Sequence, residues 1–476
     1  VLSFIFVCVV LFLGFSNVWK TVSDRMFQGQ LRHSDARVVA RLVRSRQSGL
    51  LSDGGFLGYG TESVIPPSPP ELFTLQYQAY TTKAGFSSYY PYTSQNGGQG
   101  LFFGLLDRIL SLPPGVKLGL FYALTALLST IVLASITLWF TRELGVAAGL
   151  FVLGSVVFSQ WLLVFGHSLF WSVWAFYLPM LAITLFLERS KGGGFPGLAA
   201  LVFLSVLLKC LFTGYEFITT TLAMMLVPVV YYAVAETWGG GKALKLGLVA
   251  ASAAGAAVLL SAVLLCLQFS AAGGGFADGV QHIWYSLGKR TYGNPAAFLG
   301  DDAAGLRAGI IPVILQYITG IYFDGRSFLN APDTRAGWLL LNVRYLHLIV
   351  AFLAASVFVY ASGRRSGPGG PQRKASALLL STWFSILAPL SWFVVFKAHA
   401  ALHTHLDFIV WQMPFTLYGA ALCGVAARTW IRRLLHRTDR PRLPDRADGA
   451  RVGPGKAGVG DEASATARPT LLAGIA

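Results

Sequence analysis

The chain has 476 residues, of which 54% are hydrophobic and only 12% charged, with a mean hydropathy of +0.59. Soluble domains carry about a quarter charged residues, so this balance excludes one large soluble core and points to an all-α polytopic membrane protein. The net charge of +16 is read through membrane orientation and anionic lipid rather than through nucleic acid, and Cys8, Cys210, Cys266 and Cys423 have no paired spacing that would suggest a disulfide framework or a zinc knuckle.

Residues 1–19 are apolar and nearly uncharged, too long for a signal-peptide core, and predict a first transmembrane helix. The long polar stretch that follows, 20–115, opens with Arg32-His33-Ser34-Asp35-Ala36-Arg37. Beyond it, Val38, Val39, Leu42 and Val43 share one helical face while Arg37, Arg41 and Arg44 share the other, which predicts a helix in a membrane interface. Asp35 stands at the expected start of that helix, where a carboxylate either caps the free amides or does chemistry. Phe73, Tyr77, Tyr80, Tyr89, Tyr90 and Tyr92 mark the rest of the stretch as a lid or binding loop rather than a disordered segment.

Apolar runs long enough to span follow near 116–140, 144–165, 168–187, 196–214, 216–235, 244–267, 338–361, 377–397 and 406–428, giving about ten spans with the first. A shorter run at 309–323 predicts an interfacial or re-entrant segment. The basic short loops around Arg142, Arg189, Lys242, Arg364 and Arg432 place those turns, and both termini, in the cytoplasm. The two long loops, 20–115 and 268–337, then fall outside, each carrying interfacial helices. Residues 431–476, rich in Pro, Gly and Ala without apolar periodicity, predict a disordered cytoplasmic tail after a membrane domain of 1–430.

This topology gathers ionisable residues at the outer face, where charge at membrane depth marks function. Lys209 and Glu216, seven positions apart, predict an ion pair closing a turn, a reading preferred to a substrate contact. Lys397, His399, His403, His405 and Asp407 form a second cluster, with His399 and His403 one helical turn apart. That cluster reads as a wet hairpin, as a donor set for an anionic group, or as a metal site built from His399, His403 and His405; the donor set is the preferred reading. A departing phosphate needs cations, for which Lys83, Lys289, Arg290, Arg344 and Lys397 are the candidates, with His399 and His403. Glu62 and His405 are acceptor-side candidates, though the unpatterned loop around Glu62 suits solvent exposure better.

One acidic residue soon after the first span, opening an amphipathic helix in a large external loop ahead of many spans, resembles the GT-C class of integral-membrane glycosyltransferases. Protein O-mannosyltransferases and the aminoarabinose transferase of lipid A share this layout. The resemblance covers most of 1–430 and rests mainly on Ser34-Asp35-Ala36-Arg37 and the helix after it. The acidic pair common in the family is a single carboxylate here, and its Pro-Pro pair stands as Pro113-Pro114. The resemblance implies a GT-C bundle in an inner or plasma membrane with its active site on the extracytoplasmic face. It implies transfer of a sugar, with inversion, from a polyprenyl-phosphate donor to a lipid or cell-envelope glycan, with Asp35 as general base. No cofactor is required by that chemistry, and a divalent metal stays open. The rival expectations are a surface-polysaccharide polymerase or ligase, and a non-catalytic flippase or transporter of lipid-linked sugar. The flippase is disfavoured because no internal repeat is evident and the polar residues lie in the two long loops.

Overall fold

The computed structural model describes residues 2–62, 68–190, 194–329, 334, 340–364 and 370–438. The chain divides into two compact units, Val1–Arg432 and Arg433–Ala476, and the architecture below is that of the first. The expected disordered tail lies outside the described residues from 439 onward.

The first unit is a bundle of apolar helices with small polar elements. Helix α1 (Leu2–Phe15) is uncharged, and the chain then turns into α2 (Asp24–Ser48). A two-stranded antiparallel sheet pairs β1 (Leu57–Thr61) with β2 (Ser88–Tyr92) around α3 (Pro69–Thr82), and α4 (Gly98–Ile109) leads into α5 (Pro114–Leu144). Next come α6 (Val146–Val157), α7 (Gln160–His167), α8 (Val173–Ser190), α9 (Phe195–Thr213), α10 (Ile218–Met224), α11 (Val227–Ala235) and α12 (Gly240–Ala271). The second polar region holds α13 (Phe276–Arg290), α14 (Gly300–Arg307), α15 (Ile310–Ile318) and β3 (Ile321–Asp324), which pairs with β4 (Asn342–Arg344). Helices Tyr345–Gly363, Gly370–Ser385, Leu387–Val395, Lys397–Leu402 and Phe415–Thr438 complete the described chain.

Among the described residues, seven helices are long and apolar enough to cross a membrane: Pro114–Leu144, Val173–Ser190, Phe195–Thr213, Ile218–Ala235, Gly240–Ala271, Tyr345–Gly363 and Gly370–Val395. An eighth span is available if α6 and α7 cross together despite a 71° bend between them. That bend sits at Ser159, whose hydroxyl accepts from the Leu162 amide and so starts α7 afresh. The two remaining expected spans, 1–19 and 406–428, are helical only in part. Helix α1 has 14 residues, about 21 Å at 1.5 Å per residue. At the other, Asp407–Gln412 forms a single turn of 3₁₀ helix and Pro414 delays the last helix to Phe415. Helix α15, at 9 residues, is about 14 Å long and too short to cross.

Two polar layers lie at opposite ends of α5. At its end Arg142 pairs with Glu188 at 2.9 Å, Lys374 pairs with Glu143 at 2.8 Å, and Arg428 donates to the Leu144 carbonyl at 2.8 Å. At its start Lys117 lies 3.2 Å from Asp107, a carboxylate only 2% exposed that also takes two bonds from Arg46, at 2.6 and 2.8 Å, and one from the Tyr80 hydroxyl at 2.7 Å. Asp107 thus ties α2, α3, α4 and α5 together. Between the layers, Trp139, Tyr177, Trp392, Trp411 and Tyr418 are buried, and the indole of Trp139 donates to the Tyr232 hydroxyl at 2.9 Å, as a buried indole requires.

Candidate functional site

Helix α2 starts at Asp24, eleven residues before the start at Asp35 that its sequence pattern suggests. Ser23 is the N-cap, its hydroxyl accepting from the Met26 amide, so Asp35 lies about three turns inside the helix and caps nothing. The start is masked in the sequence because polar residues interrupt Met26, Phe27 and Leu31 in the first turns of α2, whereas Ala36, Val38, Val39, Ala40, Leu42 and Val43 form a dense buried run. Asp35 is itself 0% exposed. Its Oδ1 accepts from the Ser168 hydroxyl at 2.6 Å and the Phe170 amide at 2.9 Å, and the Trp171 indole donates to the neighbouring Ser34 hydroxyl at 3.1 Å. Its Oδ2 closes no hydrogen bond of ordinary geometry among the described residues. Burial pushes this carboxyl up to about 7, although Ser168, the Phe170 amide and the Tyr122 hydroxyl work in the opposite direction.

The wall formed by residues 32–37 and 167–171 separates two cavities. One, of about 680 Å³, is lined by Phe27, Arg32, Phe73, Tyr77, Tyr122 and His167, with Gln28, Thr74 and Gln78 at its polar side. The other, of about 260 Å³, is lined by His33, Ser34 and Arg37 from α2, Phe170 and Trp171, Glu216, Lys289 and Arg290 at the end of α13, Asp302 of α14, and His399, His403 and His405. Asp35 lines neither. A third cavity, about 250 Å³ and mainly apolar in its surface, lies against α12 and α13 with Ile218, Val258, Leu265, Ile283, Leu287 and Phe396 in its lining beside Thr93, His282 and Ser286. It shares Ser94 and Arg290 with the charged cavity, so a polar chamber and an apolar one adjoin at one guanidinium.

Electrostatics within the charged cavity follow from its pairs. Lys289 lies 3.5 Å from Asp302, and Arg290 lies 3.5 Å from Glu216, whose other oxygen is 3.4 Å from His399. Burial by itself would raise the Glu216 carboxyl, but Arg290 and His399 outweigh it and hold the group well below the usual carboxylate range. Burial, reinforced by His399, pushes His403 down to about 3, and burial also lowers His33 and His405. These three imidazoles are therefore neutral, single-proton donors at neutral pH. The expected Lys209–Glu216 side-chain pair is not formed. Lys209 instead donates to the carbonyls of Gly214 at 2.8 Å and Glu216 at 2.6 Å, closing the turn and freeing the Glu216 carboxylate for Arg290.

Of the residues singled out in the sequence, Lys289, Arg290, His399, His403 and His405 come together around this cavity. Lys397 does not line it: its ammonium donates to the Leu306 and Ala308 carbonyls at 2.7 and 2.9 Å and fastens α14 to the Lys397–Leu402 helix. Arg344 donates to the Thr319 carbonyl at 2.5 Å. Lys83 is the exposed left-handed residue that ends α3, and Glu62 is exposed beyond β1; both lie outside the three cavities. Rings of His399 and His403 are 4.1 Å apart and those of His403 and His405 5.7 Å, yet among the described residues no group of three or more His, Cys, Asp or Glu side chains is placed to hold a metal ion. Sequence reasoning missed Arg37 and His33 as lining residues, although their i,i+4 spacing puts them on one helix face. No family model, curated protein or solved structure matches the chain.

Proposed function

We propose that the chain is a membrane glycosyltransferase of GT-C type that moves a sugar from a polyprenyl-phosphate donor to a lipid or cell-envelope acceptor. The observation that carries the reading is the junction at Arg290, where a chamber holding cations and imidazoles meets an apolar chamber between helices. An amphiphile with an anionic head and a hydrocarbon tail is the ligand that satisfies both chambers at once. Short basic turns gathered at the Leu144 end of α5, away from Asp107 and α2, support an extracytoplasmic site under the positive-inside rule.

In this reading Asp35 is the general base. A base works best with a proton affinity near the operating pH, and burial tunes Asp35 to about 7. Glu216 is the poorer base, because Arg290 and His399 stabilise its anion and so weaken its hold on a proton. Asp35 Oδ2, which closes no ordinary hydrogen bond among the described residues, is the atom that takes the acceptor proton, and access to it requires the side chains that bury it to move aside. The sugar–phosphate bond breaks as the acceptor oxygen attacks the anomeric carbon, and the lipid phosphate leaves against the cations of the cavity.

The test is transfer by the purified chain in nanodiscs from a panel of labelled polyprenyl-phosphate sugars. Wild type is expected to transfer one of them, and Asp35→Asn to fold normally while turnover falls by about 10²-fold or more. A fully active Asp35→Asn variant ends the base assignment, and a wild type that transfers none of the sugars ends the reading as a whole.

A further inference from the structure

Every cation of the charged cavity but one is offset by a carboxylate: Lys289 by Asp302, and Arg290 by Glu216. Arg37 has no such partner among the described residues, and its Nε is buried without a hydrogen bond. Its guanidinium is instead boxed by aromatic rings, with centroids at 4.3 Å for Tyr92 and 5.3 Å for both Tyr59 and Phe170. The box is built by the sheet. Leu57 pairs with Tyr92 and Tyr59 with Tyr90, and since alternate residues of a strand share a face, Tyr59 and Tyr92 project to the same side. Gln76 of α3 holds that strand in place by accepting from the Gly60 amide at 3.0 Å and donating to the Gly60 carbonyl at 2.8 Å.

Aromatic faces shed the water from a guanidinium but cannot neutralise it, and they hold its planar fork in one orientation. Such a fork binds the paired oxygens of a phosphate group better than an ammonium does. We infer that Arg37 is the residue that anchors the phosphate group of the ligand in this cavity, one helical turn beyond His33 and two residues beyond Asp35. The inference rests on the reading of the cavity as the seat of a phosphate-bearing lipid. Arg290 then serves as the second cation at the junction with the apolar chamber, while Lys289 stays with Asp302.

Binding to the full chain in nanodiscs tests this with farnesyl phosphate, farnesol and inorganic phosphate as probes. Arg37→Met is expected to weaken farnesyl phosphate by about tenfold or more while farnesol is unchanged, and Arg37→Lys to fall between, because it keeps the charge and loses the fork. Inorganic phosphate binding as tightly as farnesyl phosphate, with the same sensitivity to Arg37→Met, supports the anchor and makes free phosphate the occupant. Equal farnesyl phosphate affinity in wild type and Arg37→Met overturns the inference, as does an equal loss of farnesol, which marks a purely structural role. No preference of wild type for either phosphate compound over farnesol overturns it too. A wild type that holds farnesyl phosphate through Arg37 yet transfers no sugar leaves the anchor standing and removes the transferase reading.

Discussion

Replacing Asp35 by Asn has a stability consequence that is separable from activity and opposite in sign to most core substitutions. The carboxyl is raised from 3.8 to about 7 in the folded chain, and at about 1.4 kcal/mol per pH unit this corresponds to about 4 kcal/mol. Below about pH 4 both the folded and the unfolded chain carry the proton, and the group takes nothing from stability. Between about pH 4 and 7 the unfolded state ionises while the folded state keeps its proton, so this group's contribution falls as pH rises, and it levels off above 7. Asn keeps an oxygen to accept from Ser168 and Phe170 and cannot ionise, but it places an amide where Oδ2 closes no ordinary hydrogen bond among the described residues and has only the Tyr122 hydroxyl within reach. An unsatisfied buried donor costs about 1–3 kcal/mol. Asp35→Asn is therefore expected to be destabilising by about 1–3 kcal/mol at pH 4 and stabilising by about 2 kcal/mol at pH 8. Equilibrium unfolding of both proteins in mixed micelles from pH 4 to 8 measures the difference, in which every other titrating group cancels. A difference that is flat across that range, or a variant less stable than wild type at pH 8, refutes the burial argument for Asp35.

Two further substitutions separate support from chemistry. Asp107→Asn breaks a carboxylate that holds Arg46, Tyr80 and Lys117 together, and it is expected to cost about 3–5 kcal/mol, read as a lower unfolding midpoint with farnesyl phosphate affinity retained at permissive temperature. Lys397→Met strands the Leu306 and Ala308 carbonyls, so a loss of about 2 kcal/mol is expected in unfolding measurements while farnesyl phosphate affinity stays near wild type. A selective loss of that affinity in the lysine variant would return Lys397 to the ligand side.

Apolar composition made the membrane class legible, because runs of some twenty uncharged residues have few other solutions. Individual spans were less legible. Hydropathy registers that 144–165 is apolar, but the 71° bend at Ser159 depends on one hydroxyl taking a backbone amide, which an apolar window cannot register. The start of α2 was hidden for a related reason. Its first turns, from Asp24, set Met26, Phe27 and Leu31 among Arg25, Gln28, Gln30 and Arg32, so the apolar face is diluted until the run of buried residues from Ala36.

Site residues were legible as a set and illegible as pairs. Depth in a membrane protein selects ionisable groups for attention, and that criterion brought out Lys289, Arg290, His399, His403 and His405, which do meet around one cavity. It could not say which charges are already satisfied. Lys209 was expected to meet the Glu216 carboxylate seven residues on, and took its backbone carbonyl instead. Lys397 was expected to face a ligand, and holds two carbonyls of α14 and its following turn. The sequence places Arg37 with Arg41 and Arg44 on the polar face of an interfacial helix, yet Arg41 and Arg44 are tied to Leu50 and Asp53 while Arg37 is enclosed by rings that come from β1, β2 and the turn after α7. Those rings are separated from it in sequence by 22 to 133 positions, and no local pattern encodes such an enclosure. The charge that a ligand can use is the one the fold leaves over, and only the tertiary pairing of the others identifies it.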